Sequence, residues 1–242
     1  MYQPIIEKNE LISLDEETHT YTLQKSNTKF TSVTEFISTF FEPFHETEIA
    51  KKLTRMNKYK GKTVEDFLKE WEYRRLRGTT VHKEIEDYLI NKNKQVNLNN
   101  IDPKSKQGIH FLIQKCMSEK NHLFPEVRIY SEELKLAGTI DLLIYNKEKN
   151  HISLIDWKTN IEIKKTGYKK GLRFPLTSID DCSFNKYSLQ LCTYKHILER
   201  YYGSKIVGLY IVHLKENNFE YLNCDLQKDY IINMLQAHLE EN

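Results

Sequence analysis

The segment Asp156-Trp157-Lys158 carries the first chemical signal in this chain. Side chains two apart on a strand share a face, so a strand running through Lys158 sets a carboxylate beside an ammonium. A second carboxylate, Asp141, ends the run Gly138-Thr-Ile-Asp141. Asp141 and Asp156 lie symmetrically about a turn near Glu148. If the two strands pair antiparallel there, these carboxylates meet across the ladder. Opposed carboxylates repel, by up to about 1 kcal/mol on an exposed sheet, and a cation between them removes the repulsion. The natural candidate is a hard divalent ion with oxygen ligands, Mg²⁺ or Mn²⁺. Lys158 beside it would stabilise charge developing on a phosphate or orient an attacking water. Glu126 opens the preceding strand and would add a third oxygen. His82 and Glu86 are four apart and share a helix face, from which the histidine would reach a metal presented by the sheet.

The elements that must position these residues are legible as periodicities. Leu11–Asp15 and Thr20–Leu23 read as a β-hairpin with a polar turn. Ser32 or Thr34 caps a helix carrying Val33, Phe36, Ile37 and Phe40, which Pro43 stops. Residues 46–77 read as helical and basic, broken at Gly61-Lys-Thr, with Phe67, Leu68 and Trp71 as apolar anchors. A new helix is expected to start at Gly78 with a Thr cap, its stripe being Val81, Ile85, Tyr88 and Leu89. A polar connection, 91–103, leads to a helix from Ser105 to about Lys120. Alternation then predicts strands over Glu126–Tyr130, Ala137–Tyr145 and His151–Trp157. After a long basic loop come a helix over Lys186–Tyr202, strands over Lys205–Leu214 and Phe219–Asn223, and a closing helix over Asp229–Leu239. This order predicts a mixed α/β fold.

Composition excludes several classes. The 242 residues suit a single domain, and a chain this long buries roughly 70–75 % of its unfolded surface. Hydrophobic residues make up 39 % and charged residues 29 %, which is globular rather than disordered. No stretch approaches eighteen apolar residues, and Met1–Asn9 lacks an h-region, so the expectation is a cytoplasmic protein with no membrane contact. Cys116, Cys182, Cys192 and Cys224 form no CxxC pair and read as reduced thiols. The net charge is only +2, yet the basic residues are clustered. Lys51, Lys52 and Arg55 open a run that reaches Lys62 without an acid. Lys164, Lys165, Lys169, Lys170 and Arg173 form another. With Arg74, Arg75 and Arg77 they make the footprint of a polyanion binder.

The ordered set resembles the PD-(D/E)XK nuclease superfamily, in particular its RecB-like branch, which includes phage-encoded members and the mitochondrial genome maintenance exonuclease. The resemblance covers roughly residues 78–215. Gly78-Thr-Thr-Val-His82 is similar to the branch's GTxxH motif. Gly138-Thr-Ile-Asp141 and Asp156-Trp-Lys158 resemble the two motifs that name the superfamily. Gln190 to Tyr194 resembles its QxxxY motif. The resemblance implies a restriction-endonuclease-like αβββαβ core at 78–242, preceded by the hairpin and a helical insertion in 1–77. It implies Asp141, Asp156, His82, Glu126 and the carbonyl of Trp157 as metal ligands, Lys158 as the catalytic lysine, and Gln190 and Tyr194 as residues that support the site or contact DNA. The basic segments would then meet phosphates, the first of them as an arch over the site.

The activity implied is metal-dependent hydrolysis of DNA phosphodiesters with one or two Mg²⁺ or Mn²⁺ ions. An exonuclease acting on single strands or DNA ends is favoured, in the company of replication or recombination proteins of a bacterium or a phage-infected cell. A structure-specific endonuclease, a silent nucleic-acid-binding module and a structural Ca²⁺ site are the alternatives, and RNA stays open as substrate. The four cysteines are too dispersed for the iron–sulfur cluster that some members carry.

Overall fold

A computed structural model describes residues 2–91, 98–224 and 228–241. Met1 and residues 92–97, on which the readings of the N-terminus and of the polar connection partly fell, lie outside them. The architecture is mixed α/β. A short helix α1 (Gln3–Asn9), absent from the sequence expectation, precedes strands β1 (Ile12–Asp15), β2 (Thr20–Leu23) and β3 (Thr28–Ser32). The expected hairpin is therefore a three-stranded antiparallel unit. Ser32 caps α2 (Val33–Ser38), its side chain accepting from the Glu35 N–H. Helix α3 (Glu46–Thr54) and a single 3₁₀ turn then lead to α4 (Val64–Ile90).

Helix α4 corrects the expected break. It runs unbroken through Gly78 for 27 residues and starts at a capping box made by Thr63 and Asp66. Thr79 and Thr80 do not cap. Their hydroxyls donate back to the carbonyls of Arg75 and Leu76, four residues earlier, at 3.3 and 3.1 Å. A glycine inside a helix costs about 1 kcal/mol relative to alanine. Here it permits close packing, because a Cβ on Gly78 would lie 3.1 Å from the Thr159 hydroxyl.

Helix α5 (Pro103–Phe111) passes into a π-helical turn, Leu112–Cys116, and ends short of the expected Lys120. Strands β4 (Asn121–Ser131), β5 (Leu136–Asn146) and β6 (His151–Lys158) form an antiparallel meander. Helix α6 (Ser183–Tyr201) crosses over to β7 (Ile206–Leu214), which lies parallel to β6. The antiparallel strand β8 (Phe219–Asn223) and helix α7 (Lys228–Glu241) close the chain. The αβββαβ order is thus α4/α5, β4 to β6, α6, β7. Helices α2, α6 and α7 bury one face of the sheet with residues such as Phe36, Leu189, Ile197 and Met234. Helices α4 and α5 bury the other through Val81, Ile85 and Phe111, which pack in one cluster with Trp157 of β6. Among the described residues no helix is long and apolar enough to cross a membrane.

One irregularity positions the site. Strand β4 pairs with β5 along its whole length. On its other side β5 meets β3 only at Leu136–Ala137 and β6 only from Leu142 to Asn146. Residues 138–141 therefore face a gap between two strands that have parted.

Candidate active site

Register sets Glu126, Asp141 and Asp156 in one row across β4, β5 and β6. The pairs Pro125↔Leu142 and Val127↔Ile140 bracket Glu126 and Asp141. The β5–β6 ladder ends at Leu142↔Ile155, one step short of Asp141 and Asp156. Regular alternation would point all three side chains the same way. It slips at the row: Phe124 and Val127, three apart, pack into one core face, as do Ile140 and Leu143. Glu126 takes a positive φ of 49° at this slip. The carboxylates of Glu126 and Asp141 consequently meet His82 of α4. One ligand atom from each of the three lies within 4.8 Å of the others.

Asp156 does not belong to that group. It stays in phase with Lys158, and the ammonium stands 2.7 Å from its Oδ2. This is the shared face that D-x-K spacing predicts, because β6 remains paired with β7 through Lys158↔His213. The Lys158 ammonium also lies over the Tyr187 ring, 4.6 Å from its centroid. At the gap, the Trp157 N–H that would have paired with β5 donates to Asp141 Oδ2 at 2.7 Å. The Trp157 carbonyl, expected as a metal ligand, accepts from His82 Nε2 at 3.1 Å. That bond puts the proton on Nε2 and leaves Nδ1 as the lone-pair nitrogen, 3.6 Å from Asp141 Oδ2.

The electrostatics describe a site short of positive charge. Glu126 is pushed up to about 9, first by desolvation and then by Asp141 and Glu86. Asp141 and Asp156 are each pushed up to about 6, mainly by burial, with Lys158 opposing. Burial would lower the Lys158 ammonium, but Asp156 and Asp141 outweigh it and hold the group well above its ordinary value. His82 is driven down to about 4 by desolvation and then by Lys158, so its imidazole is neutral at pH 7. Crowded carboxylates beside a neutral imidazole form the donor set of a divalent cation, which would relieve their repulsion. The residues present fit such an ion.

The α6 residues support the row. Gln190 Nε2 donates to Tyr194 Oη at 3.0 Å. Tyr194 is only 3 % exposed, so it offers no surface to a nucleic-acid strand. This corrects its placement among the nucleic-acid contacts. The burial fits support instead: a Cβ at Gly138 would fall 2.4 Å from Tyr194 Cε1, so the ring occupies side-chain space at that position. Tyr187 of the same helix, the residue under the Lys158 ammonium, has no motif of its own to mark it. Its position, three before Gln190 and seven before Tyr194, is the signal that places it on the same face.

The basic residues divide. Among the described residues Lys51 and Lys52 on α3, Arg55 at its C-terminal cap, and Lys164 and Lys165 after β6 are exposed and make no ion pair. Arg74, Arg75, Lys169 and Lys170 make exposed pairs with Glu70, Glu46, Glu42 and Asp180, pairs weak enough to yield to a phosphate. Arg173 pairs with Glu241 and lies over the Phe40 ring. Arg77 is fully engaged. It forks onto Asp102 at 2.6 and 2.9 Å and onto Glu216 at 2.7 and 2.9 Å. Its expected role as a phosphate contact is replaced by a structural one. In the insertion Phe67 is buried, against Tyr59 and Trp71, as an anchor should be.

Two pockets, of about 280 and 590 Å³, lie elsewhere, lined in part by Phe111 and Tyr210 and by Tyr88 and Met117; none of the acids or His82 lines them.

No known family model matches this chain, and no curated protein matches it. Two solved structures share some of its shape. One, from Eubacterium rectale and named as a candidate exonuclease, is 15 % identical, with 94 % of this chain and 83 % of that one covered and a TM-score of 0.43. The other, SSO0001, is 13 % identical over 99 % and 83 %, with a TM-score of 0.38. At that level of similarity the residues of the site, not the likeness, decide the reading.

Proposed function

We propose that this chain is a divalent-metal-dependent nuclease of the PD-(D/E)XK type that hydrolyses DNA phosphodiesters, with single strands or DNA ends as substrate. The observation that carries the reading is the convergence of His82, Glu126 and Asp141 beside the Asp156–Lys158 pair. A Mg²⁺ or Mn²⁺ ion held by His82 Nδ1, Glu126 and Asp141 would supply Lewis-acid stabilisation of the charge that develops on the phosphate.

The chain's own residues do the rest. Lys158 presents a permanent ammonium to the phosphoryl oxygens, a preorganised charge in a site shielded from bulk water. Asp156 keeps that ammonium charged and in place. His82 stays neutral and is oriented by the Trp157 carbonyl, so its lone pair points at the acids. The unpaired cations Lys51, Lys52, Arg55, Lys164 and Lys165 are available to the sugar-phosphate backbone, which gives affinity without sequence preference.

The test is cleavage of labelled linear single-stranded DNA, linear duplex and circular single-stranded DNA with Mg²⁺, Mn²⁺ or EDTA. Loss of the linear substrates alone, abolished by EDTA and by Lys158→Ala, establishes an end-dependent exonuclease. Cutting of the circle makes it an endonuclease. Binding without cleavage of any substrate overturns the reading.

A further inference from the structure

The lysine of the D-x-K run is held from outside its own strand. Tyr187 of α6 lies under its ammonium, ring centroid 4.6 Å from Nζ. The hydroxyl of the same tyrosine donates to Asn160 Oδ1 at 3.0 Å. Asn160 is two residues past Lys158, where β6 has ended. Its carbonyl accepts from His213 Nε2 at 2.7 Å, and His213 is 3 % exposed and pairs with Lys158 in the β6–β7 register. Between them, the Thr159 carbonyl accepts from Nζ of the buried Lys104 at 2.6 Å. Three separate elements thus fix the two residues that follow the lysine.

This arrangement is more than packing demands. A lysine side chain is a flexible four-carbon stem that loses rotamer freedom on being fixed. Asp156 alone holds the ammonium by one contact and leaves the rest of the chain free to swing. A ring face beneath the cation removes that freedom while leaving its outer N–H groups open. We propose that Tyr187 and Asn160 are positioning residues for Lys158, setting its ammonium through the ring–cation contact and the hydroxyl–amide bond. The proposal rests on the nuclease reading for its kinetic consequence but not for its geometry.

Two measurements test it, one of them independent of activity. In protein labelled with ¹³C-lysine, the ε-methylene signal of Lys158, identified by its loss in Lys158→Ala, is expected to be shifted upfield by the ring. It returns to the ordinary lysine position in Tyr187→Leu and stays upfield in Tyr187→Phe. An ordinary shift in the natural chain overturns the proposal whether or not the protein cuts DNA. In the cleavage assay, Tyr187→Leu is expected to lower kcat at least tenfold with KM unchanged, and Tyr187→Phe and Asn160→Ala only a few-fold. Added to Lys158→Ala, Tyr187→Leu should cost nothing further. A loss of the same size with and without Lys158 would show a merely structural tyrosine and sink the inference while leaving the nuclease reading intact. If Tyr187→Leu fails to fold, Asn160→Ala takes its place in the same cycle. No cleavage by the natural chain, with the upfield shift present, would remove the nuclease reading and leave the geometry standing.

Discussion

The ring of Tyr194 lies where a side chain on Gly138 would begin, 2.4 Å from the position of its Cβ. Two residues far apart in sequence are therefore one structural unit. Helix α6 can approach the gap beside Asp141 only because residue 138 has no side chain.

Gly138→Ala should overpack this contact. Inserting a methyl group into a filled core costs about 1–3 kcal/mol. The expected result is a lower melting temperature, with cleavage lowered further if the gap at 138–141 shifts. Tyr194→Phe keeps the ring and loses only the Gln190 bond, for about 1 kcal/mol. A Gly138→Ala variant as stable as the natural chain would show that the ring moves aside freely.

Lys158→Ala should lower kcat by roughly 10²–10³-fold, the usual loss of a preorganised charge at a reacting group. DNA affinity should change little, because Lys51, Lys52, Arg55, Lys164 and Lys165 remain. Single-turnover cleavage beside an equilibrium binding measurement separates the two effects. Equal losses in both would make Lys158 a binding residue.

Stability without metal should fall as pH rises. The three acids of the row have folded pKa values above their unfolded ones, so the folded chain holds protons that the unfolded chain releases. Their contribution is fully present below about pH 4. It is lost through about 6 for Asp141 and Asp156 and through about 9 for Glu126. Melting curves in EDTA should therefore show Glu126→Gln gaining on the natural chain between pH 5 and 9. Mn²⁺ should stabilise the natural chain more at pH 8 than at pH 5, since the cation replaces those protons. A pH-independent difference between the two chains would count against the raised value at Glu126.

Arg77→Ala and Lys164→Ala should fail differently. Arg77 joins α4 to Asp102 and Glu216, so its loss should lower the melting temperature and leave the salt dependence of DNA binding unchanged. Lys164→Ala should leave stability alone and reduce the slope of log K against log salt by about 1. The opposite pattern would place Arg77 on the nucleic acid.

Local spacing determined much of this protein. The alternating strands around Asp141 and Asp156, the D-x-K face, the helix bearing Gln190 and Tyr194 and the row of acids follow from periods of 2 and 3.6 that neighbouring residues express by themselves. What spacing does not encode is which long-range partner a residue finds. The helix runs on through Gly78, where Thr79 and Thr80 bond backward instead of capping and Thr159, just past β6, approaches the glycine closely. Arg77 reads like the cations beside it until Asp102 and Glu216 close on it from other elements. Spacing sets Asp141 and Asp156 against each other if the strands stay paired, yet the ladder ends one step short of them, and Asp141 turns toward His82 while Asp156 stays with Lys158. That division depends on strands β3 and β6 parting along β5, a matter of tertiary packing that no local pattern of residues 138–141 records.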